Sequence, residues 1–427
     1  MHIWPVSLLI RSATLVVFAW TAATQAVTLV GTGDPNVDIP AVQAAVDQGG
    51  TITLKGRFSF DAPPTVVELP GMGFNGTALG TILISRAVVI QGTPGGTPGG
   101  TPGEKGAMTR IEGGINPFYV AAPGAHVTIE GLHFLHAKVA VIRVVAANGL
   151  TITSNRVEGL LRVTRHASAI HVSTATNDRP FNPASLRQSE NVSGTLRIVN
   201  NDIDLQGTAD GNFLGISVFA VGKSPDSEAD LFISGNKITN STERPINIYS
   251  VGGRAYVERN VIITGSIGNY VKPSADVIHI VGPGSFVIAR NTIVCAWATG
   301  SPAGIRLESR GPYQSVSHAI VMENDVNMAV PEGTEFGETS AAIEIRGPGE
   351  SNTVLNNRIR GRASFALSVV AENGTPRGVT FIRNDLDGFT PAGADLFVGE
   401  GAQNTVLAGR HRNVEDHGSG TVIAPVR

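Results

Sequence analysis

Two carboxylates, Glu308 and Glu344, and one imidazole, His279, stand with Arg306, Arg346, Asn247 and Tyr249 in short segments of one pattern: small residue, Ile, any residue, apolar residue. The pattern reads Ala169-Ile170-His171-Val172, Val277-Ile278-His279-Ile280, Gly304-Ile305-Arg306-Leu307 and Ala342-Ile343-Glu344-Ile345. Side chains alternate along an extended strand, so the residue between the two apolar ones is expected to face solvent. Stacked segments put those residues in a column: Arg143, His171, Ser217, Asn247, His279, Arg306, Glu344, Ser368, Phe397. Two residues on, a parallel column holds Tyr249, Glu308 and Arg346. Glu308, Glu344 and His279 are the candidate catalytic groups, able to give and take protons. Arg306 and Arg346 suit a bound carboxylate, Tyr249 offers a ring face, and Asn247 an amide.

The same spacing has a second reading. Neighbouring strands lie about 4.8 Å apart, so Arg306 would face Glu344 and Glu308 would face Arg346. Such a square neutralises itself, at a few tenths of a kcal/mol per pair. Its diagonal carboxylates, roughly 7 Å apart, would suit an inverting hydrolysis. His171 and His279, with two coils between them, would be about 14 Å apart and could not share an ion. No metal or cofactor motif is read in the chain.

What must hold these columns is a repeat. The unit Leu231-Phe232-Ile233-Ser234-Gly235-Asn236-Lys237-Ile238 recurs in one register, aligned on Asn155, Asn201, Asn236, Asn260, Asn291, Asn324, Asn357 and Asn384. Each copy is two short strands around one sharp corner, and the small-Ile segment supplies a third strand. None can bury its apolar side alone, so the fold expected is all-β, a right-handed parallel β-helix of three-strand coils. Asn tolerates a left-handed backbone and its amide can bond to the Asn above and below, so it is expected to make the corner itself. The residues after the corner alternate in sign, as Arg156, Asp202 and Lys237 show, and read as a surface ladder.

The ends differ from the repeat. Leu8 to Ala23 is apolar and is followed by small residues, so residues 1–26 read as an export signal. Residues 27–50 read as an N-terminal cap with a helix from Asp38, its N-cap, to the stop at Gly49-Gly50, with Pro40 in the first turn. The coils are expected over 51–410, with a low-complexity insertion at 92–106 and a long loop at 174–194, and a tail over 411–427. Phe232, Tyr256, Val287, Ile320, Met322, Leu355 and Ile382 form an apolar outer stripe, to be covered by the tail or by another subunit. The single Cys295 precludes an internal disulfide and reads as a small core residue. With 35 acidic and 32 basic residues, nucleic acid or an anionic membrane surface is not the main partner.

The run Asp38-Ile39-Pro40-Ala41-Val42-Gln43 through Gly49-Gly50-Thr51-Ile52-Thr53-Leu54, followed by Asn-cornered coils, resembles the pectate-lyase-like superfamily of right-handed parallel β-helices. That resemblance implies an exported, periplasmic or secreted protein that handles acidic polysaccharide in a groove along the small-Ile strand. The catalytic signatures of the superfamily are mostly missing. There is no Gly-His-Gly or Arg-Ile-Lys of the polygalacturonases and no Asp-Pro-His of the alginate epimerases, and the Arg310 and Arg346 segments lack the second Arg of the pectate lyase motif. Two readings therefore stand: binding or processing of an extracellular, acidic polysaccharide by a lyase or hydrolase type of reaction, or a non-catalytic surface, structural or carbohydrate-binding solenoid.

Overall fold

The computed structural model describes residues 26–62, 80–93, 108–161, 166–173, 192–208, 211–221, 230–265, 276–297, 302–310, 315–333, 335–336 and 340–424. The export-signal segment, most of the 92–106 insertion and nearly all of the 174–194 loop lie outside them. Period-two apolar segments too short to stand alone bond to the same segment of the next coil, and the result is a parallel β-helix. One face contains Asn212–Val221, Ile246–Val251, Asp276–Val281, Ala303–Glu308, Ala341–Arg346 and Arg358–Val370 in succession. A second runs from Ala26–Thr32 and Gly50–Ser59 through Leu231–Ser234 to Val422–Ala424, and a third includes Lys237–Thr239, Val261–Ile263 and Thr292–Val294. Inside, like stacks on like: Ile233, Val257, Ile288, Val321, Val354 and Phe381 are consecutive rungs of one fully buried column. Each such side chain contributes roughly 1.5–3 kcal/mol by leaving water. Cys295 belongs to this core, and burial pushes its thiol up to about 12.

The Asn ladder runs unbroken from Asn155 to Asn384. Asn291 shows the unit: its Nδ2 donates to Asn324 Oδ1 at 2.9 Å and to the Val257 carbonyl at 2.8 Å. Its Oδ1 accepts from both Asn260 Nδ2 and the Asn260 backbone N–H. Leu132 takes the rung before the first Asn, giving its N–H to Asn155 Oδ1. The left-handed residue of the corner is not the Asn but the one before it: Ser154, Asn200, Gly235, Arg259, Arg290, Glu323, Asn356 and Arg383 all have φ between 49° and 67°. The corner strains its first residue, at about 1–2 kcal/mol for a non-glycine, and uses the second to bond the coils.

The N-terminal helix spans Pro35–Gln48 and begins four residues earlier than expected. Asp34 is the N-cap, accepting from the Asn36 N–H, and Pro35 takes the first-turn position, which leaves Pro40 inside the helix. Asp38 is buried instead and ties the helix to the flanking strands by accepting from the Thr32, Gly33 and Ser59 N–H groups. A strand ahead of the helix, Ala26–Thr32, pairs with Gly50–Ser59 and was not foreseen. At the other end the described part of the tail does not fold over the apolar stripe. Val422–Ala424 pairs with Val406–Ala408 as one more rung, because its alternation matches the coil above it, and Val422 and Ile423 stay 54% and 63% exposed. Along the stripe the Phe232 and Tyr256 rings stack at 5.1 Å and the Arg197 guanidinium lies over Phe232.

Asn291→Asp keeps the acceptor toward Asn260 but turns a carboxylate on the Val257 carbonyl and Asn324 Oδ1. We expect it to destabilise the fold by on the order of 3 kcal/mol. Asn384→Asp, whose amide donates only to Val354 O, should cost about a third of that. Equal denaturation midpoints for the two variants would remove the ladder from the account of stability.

Candidate functional site

The two sequence columns are real registers of the first face. Asn247, His279, Arg306, Glu344 and Ser368 are consecutive partners, as are Tyr249, Val281, Glu308 and Arg346. Their expected exposure is not found: Asn247, His279, Arg306, Glu344 and Tyr249 are all buried. Their polar groups are met by side chains of neighbouring coils, ion-paired or hydrogen-bonded to one another.

The pairing also differs from the expected square. Arg306 does face Glu344, with Nε to Oε2 at 2.7 Å, and its Nη1 lies 2.5 Å from Asp276. The second oxygen of Glu344 is held by Arg346 at 2.7 Å, and Arg346 goes on to Glu372. Glu308 does not pair with Arg346. It turns toward His279 Nε2, at 2.7 Å, and receives Arg310 on both oxygens at 2.7 and 3.1 Å. His279 Nδ1 in turn meets the Asn247 amide at 2.9 Å. Arg244 lies 3.5 Å from Asp276 and completes the cluster. Both oxygens of Glu344 are thus engaged and out of solvent, so a direct acid or base role for it has no geometric support.

Burial drives the His279 imidazole down to about 4, helped by Arg244 and only partly opposed by Glu308 and Asp276. The ring is neutral near pH 7 and carries one N–H, which serves either Glu308 from Nε2 or Asn247 Oδ1 from Nδ1. Burial works to raise the Glu308 carboxyl, but the hydrogen bonds from His279 and Arg310 outweigh it and hold it well below the usual carboxylate range. Asp276 is likewise low, the Arg306 charge first among those that overcome its burial. Burial raises the Tyr249 hydroxyl, and the ring is in use: it stacks on Phe219 at 5.0 Å, with the Arg310 guanidinium 5.4 Å from its centre. It offers no free face to a sugar.

At the rim, side-chain exposure separates the groups a ligand can touch. Glu308 is 16% exposed, Arg346 14%, Arg310 31% and Glu372 49%, against 2% or less for Arg306, Glu344 and Asp276. Sequence reasoning missed Asp276, Arg244 and Arg310. Arg310 is the next step of the 306, 308 alternation. Asp276 is followed in its column by Ala303, Ala341 and Phe365, so it is a charge ahead of three apolar rungs. His171 stacks on Phe219 at 5.3 Å, with the Ser217 and Asn247 rungs between it and His279.

No family model and no curated protein matches the sequence. Among solved structures the chain is similar to the Dettilon tailspike protein, at 11% identity and TM-score 0.43, over 92% of this chain and 68% of that one. It is also similar to a mannuronan C-5 epimerase A-module of Azotobacter vinelandii, at 12% identity and TM-score 0.43, over 92% of this chain and 98% of that one. A third is a mannuronic acid specific polysaccharide family 6 lyase from human gut microbiota, at 12% identity and TM-score 0.25, over 91% and 82%. These likenesses are of architecture and say nothing of residues or reaction.

The His279 pair carries a pH dependence whose sign is fixed. Its folded pKa of about 4 lies below the unfolded value near 6.5, so the unfolded chain binds the extra proton between those limits. Stability should fall as pH drops from 6.5 to 4, by about 3 kcal/mol in all. The low Glu308 and Asp276 carboxyls add a further loss below pH 4, as they protonate more readily in the unfolded chain. In melting curves across pH, His279→Gln should flatten the upper window; an unchanged slope would show the imidazole titrating normally.

Proposed function

We propose that this protein binds an acidic polysaccharide along the face carrying Ile246–Val251, Asp276–Val281, Ala303–Glu308 and Ala341–Arg346. The observation that carries the reading is the concentration of charge there. Flanking rungs of the same column hold Ser217, Ser368 and Phe397, while four successive coils bring together Arg244, Asp276, Arg306, Glu308, Glu344 and Arg346. Stability does not call for this, since buried ion pairs are often no better than well-packed apolar side chains. What the network does is hold the rim guanidinium groups of Arg310 and Arg346 in fixed orientation, so that a ligand carboxylate meets donors whose ordering cost is already met. In this reading Arg310 and Arg346 touch the ligand, while Arg306, Glu344, His279, Asn247 and Tyr249 hold them in place. The apolar run Leu8 to Ala23 supports a site of action outside the cytoplasm, periplasmic or secreted.

Processing is a second reading, favoured by one feature: Glu308 is an ionised carboxylate that reaches the rim, beside the His279 imidazole. One experiment addresses both. Residues 27–427 are incubated with uronate and neutral polysaccharides, and retention, new reducing ends and ultraviolet absorbance of unsaturated products are read together. Retention of acidic polymers alone is the expected result. Reducing ends with absorbance would make the protein a lyase, reducing ends alone a hydrolase, and silence in all three readouts would leave a structural solenoid.

Arg310→Ala should weaken binding of uronate polymers about tenfold, the loss of one charge-assisted contact, and leave neutral polymers unaffected. Glu344→Gln should act on stability instead, by roughly 3–5 kcal/mol, since it leaves Arg306 and Arg346 without their shared carboxylate. Calorimetric titration and urea denaturation separate the two. An Arg310→Ala protein with wild-type affinity would move the ligand off this rim.

A further inference from the structure

The lane that ends in the charged cluster begins five rungs earlier at Arg143, through His171, Ser217, Asn247, His279 and Arg306. Arg143 differs from the other guanidinium groups of the lane. Arg244, Arg306, Arg310 and Arg346 each lie within ion-pair distance of a carboxylate, whereas no carboxylate among the described residues pairs with Arg143. Its Nε is buried without a hydrogen-bond partner. Its interaction is with the hydroxyl of Tyr119, the preceding rung. Burial pushes that hydroxyl up to about 12 against the pull of the Arg143 charge, so it is a neutral phenol at any physiological pH. Leu83, Ala121 and Val145 pack around Tyr119 and make the surroundings apolar. Burial also works against the Arg143 charge itself.

A half-buried cation in apolar surroundings, with no counter-ion among the described residues, is an arrangement that folding alone does not favour. A planar anion with two oxygens would complete it, and a guanidinium takes such an anion in bidentate fashion. We propose that Arg143, beside Tyr119, is a second anion subsite of the lane and takes one carboxylate of an acidic oligosaccharide whose chain reaches Arg310 and Arg346 at the other end. The proposal rests on the polysaccharide reading above and deepens it. Five rungs at about 4.8 Å place the two ends roughly 24 Å apart, a distance only an oligomer spans. Long uronate chains then engage both ends and gain by effective concentration, while a single sugar acid engages one.

The test compares wild type with Arg143→Gln and Arg310→Gln in two assays. In the first, unliganded melting temperatures are measured and then followed through a concentration series of a monomeric uronate and of sulfate. Arg143→Gln without ligand should melt at or above wild type, because it removes a charge that has no partner; a fall of several degrees would make Arg143 a structural residue and overturn the proposal. The uronate should raise the midpoint of wild type and Arg310→Gln more than that of Arg143→Gln. An equal shift in all three proteins, or the same shift from sulfate, would also overturn it. In the second, affinities for uronate oligomers of increasing length should rise steeply in wild type and lose about tenfold in Arg143→Gln for the longest chains only. A wild type that binds no polymer but keeps the Arg143-dependent uronate shift would sink the polysaccharide reading and leave the subsite standing. Polymer binding that is indifferent to Arg143 would do the reverse.

Discussion

Everything in this molecule depends on one constraint: each coil is hydrogen-bonded in parallel register to the next, so a given position recurs every rung at about 4.8 Å. A side chain is therefore judged against its own counterpart above and below. For apolar residues this is easily met, and Ile on Val on Ile builds one continuous buried core. An amide meets it uniquely well among polar groups, because Asn carries a donor and an acceptor and can satisfy both by bonding to another Asn. The ladder from Asn155 to Asn384 is the result. Charge meets it worst, since like over like repels at that spacing. The first face answers with alternation, Arg306 against Glu344, and with lateral escapes, Glu308 to Arg310 and Arg346 to Glu372.

Those pairings are why alternation along these strands does not translate into exposure. Alternation says which side of a strand a residue leaves from, and that was read correctly for both columns. It does not say what lies over that side. Here the residues concerned are Arg, Glu, His and Tyr that bond to one another, and a column expected in water is a second, polar interior. Asn247, His279, Arg306, Glu344 and Tyr249 were each placed in the right rung and on the right side, and each is buried. Glu308 and Arg346 are the two sequence-nominated groups that keep some contact with solvent.

Other features were illegible for more local reasons. The left-handed residue of each corner is Ser, Asn, Gly, Arg or Glu, with no shared chemistry to betray it, because the backbone there is fixed by the Asn that follows. The helix start was displaced by Asp38, which looks like a cap next to Ile39-Pro40 but is a buried acceptor for three backbone N–H groups around the first coil. The tail was misplaced because its alternating Val422-Ile423-Ala424 reads equally well as a cover for an apolar stripe and as one more rung. Rung addition wins because it satisfies backbone groups as well as side chains, which a cover does not.

The distribution of charge along the lane bears on what kind of work the face can do. Catalysis by carboxylates needs one of them protonated, or a base left free to reach its proton. In the coils from Asn247 to Arg346 the opposite condition holds: guanidinium groups engage Glu344 on both oxygens and Glu308 on both, and the imidazole beside them is neutral and wholly enclosed. Such a layer loses little when a ligand arrives, since no internal pair has to break for Arg310 to offer its remaining N–H. Preorganisation of that sort favours recognition over turnover. At the other end of the lane the logic reverses, for among the described residues Arg143 has no carboxylate partner of the kind the other lane guanidinium groups have. The long acidic ligand we propose would supply at that end the carboxylate that the described residues do not.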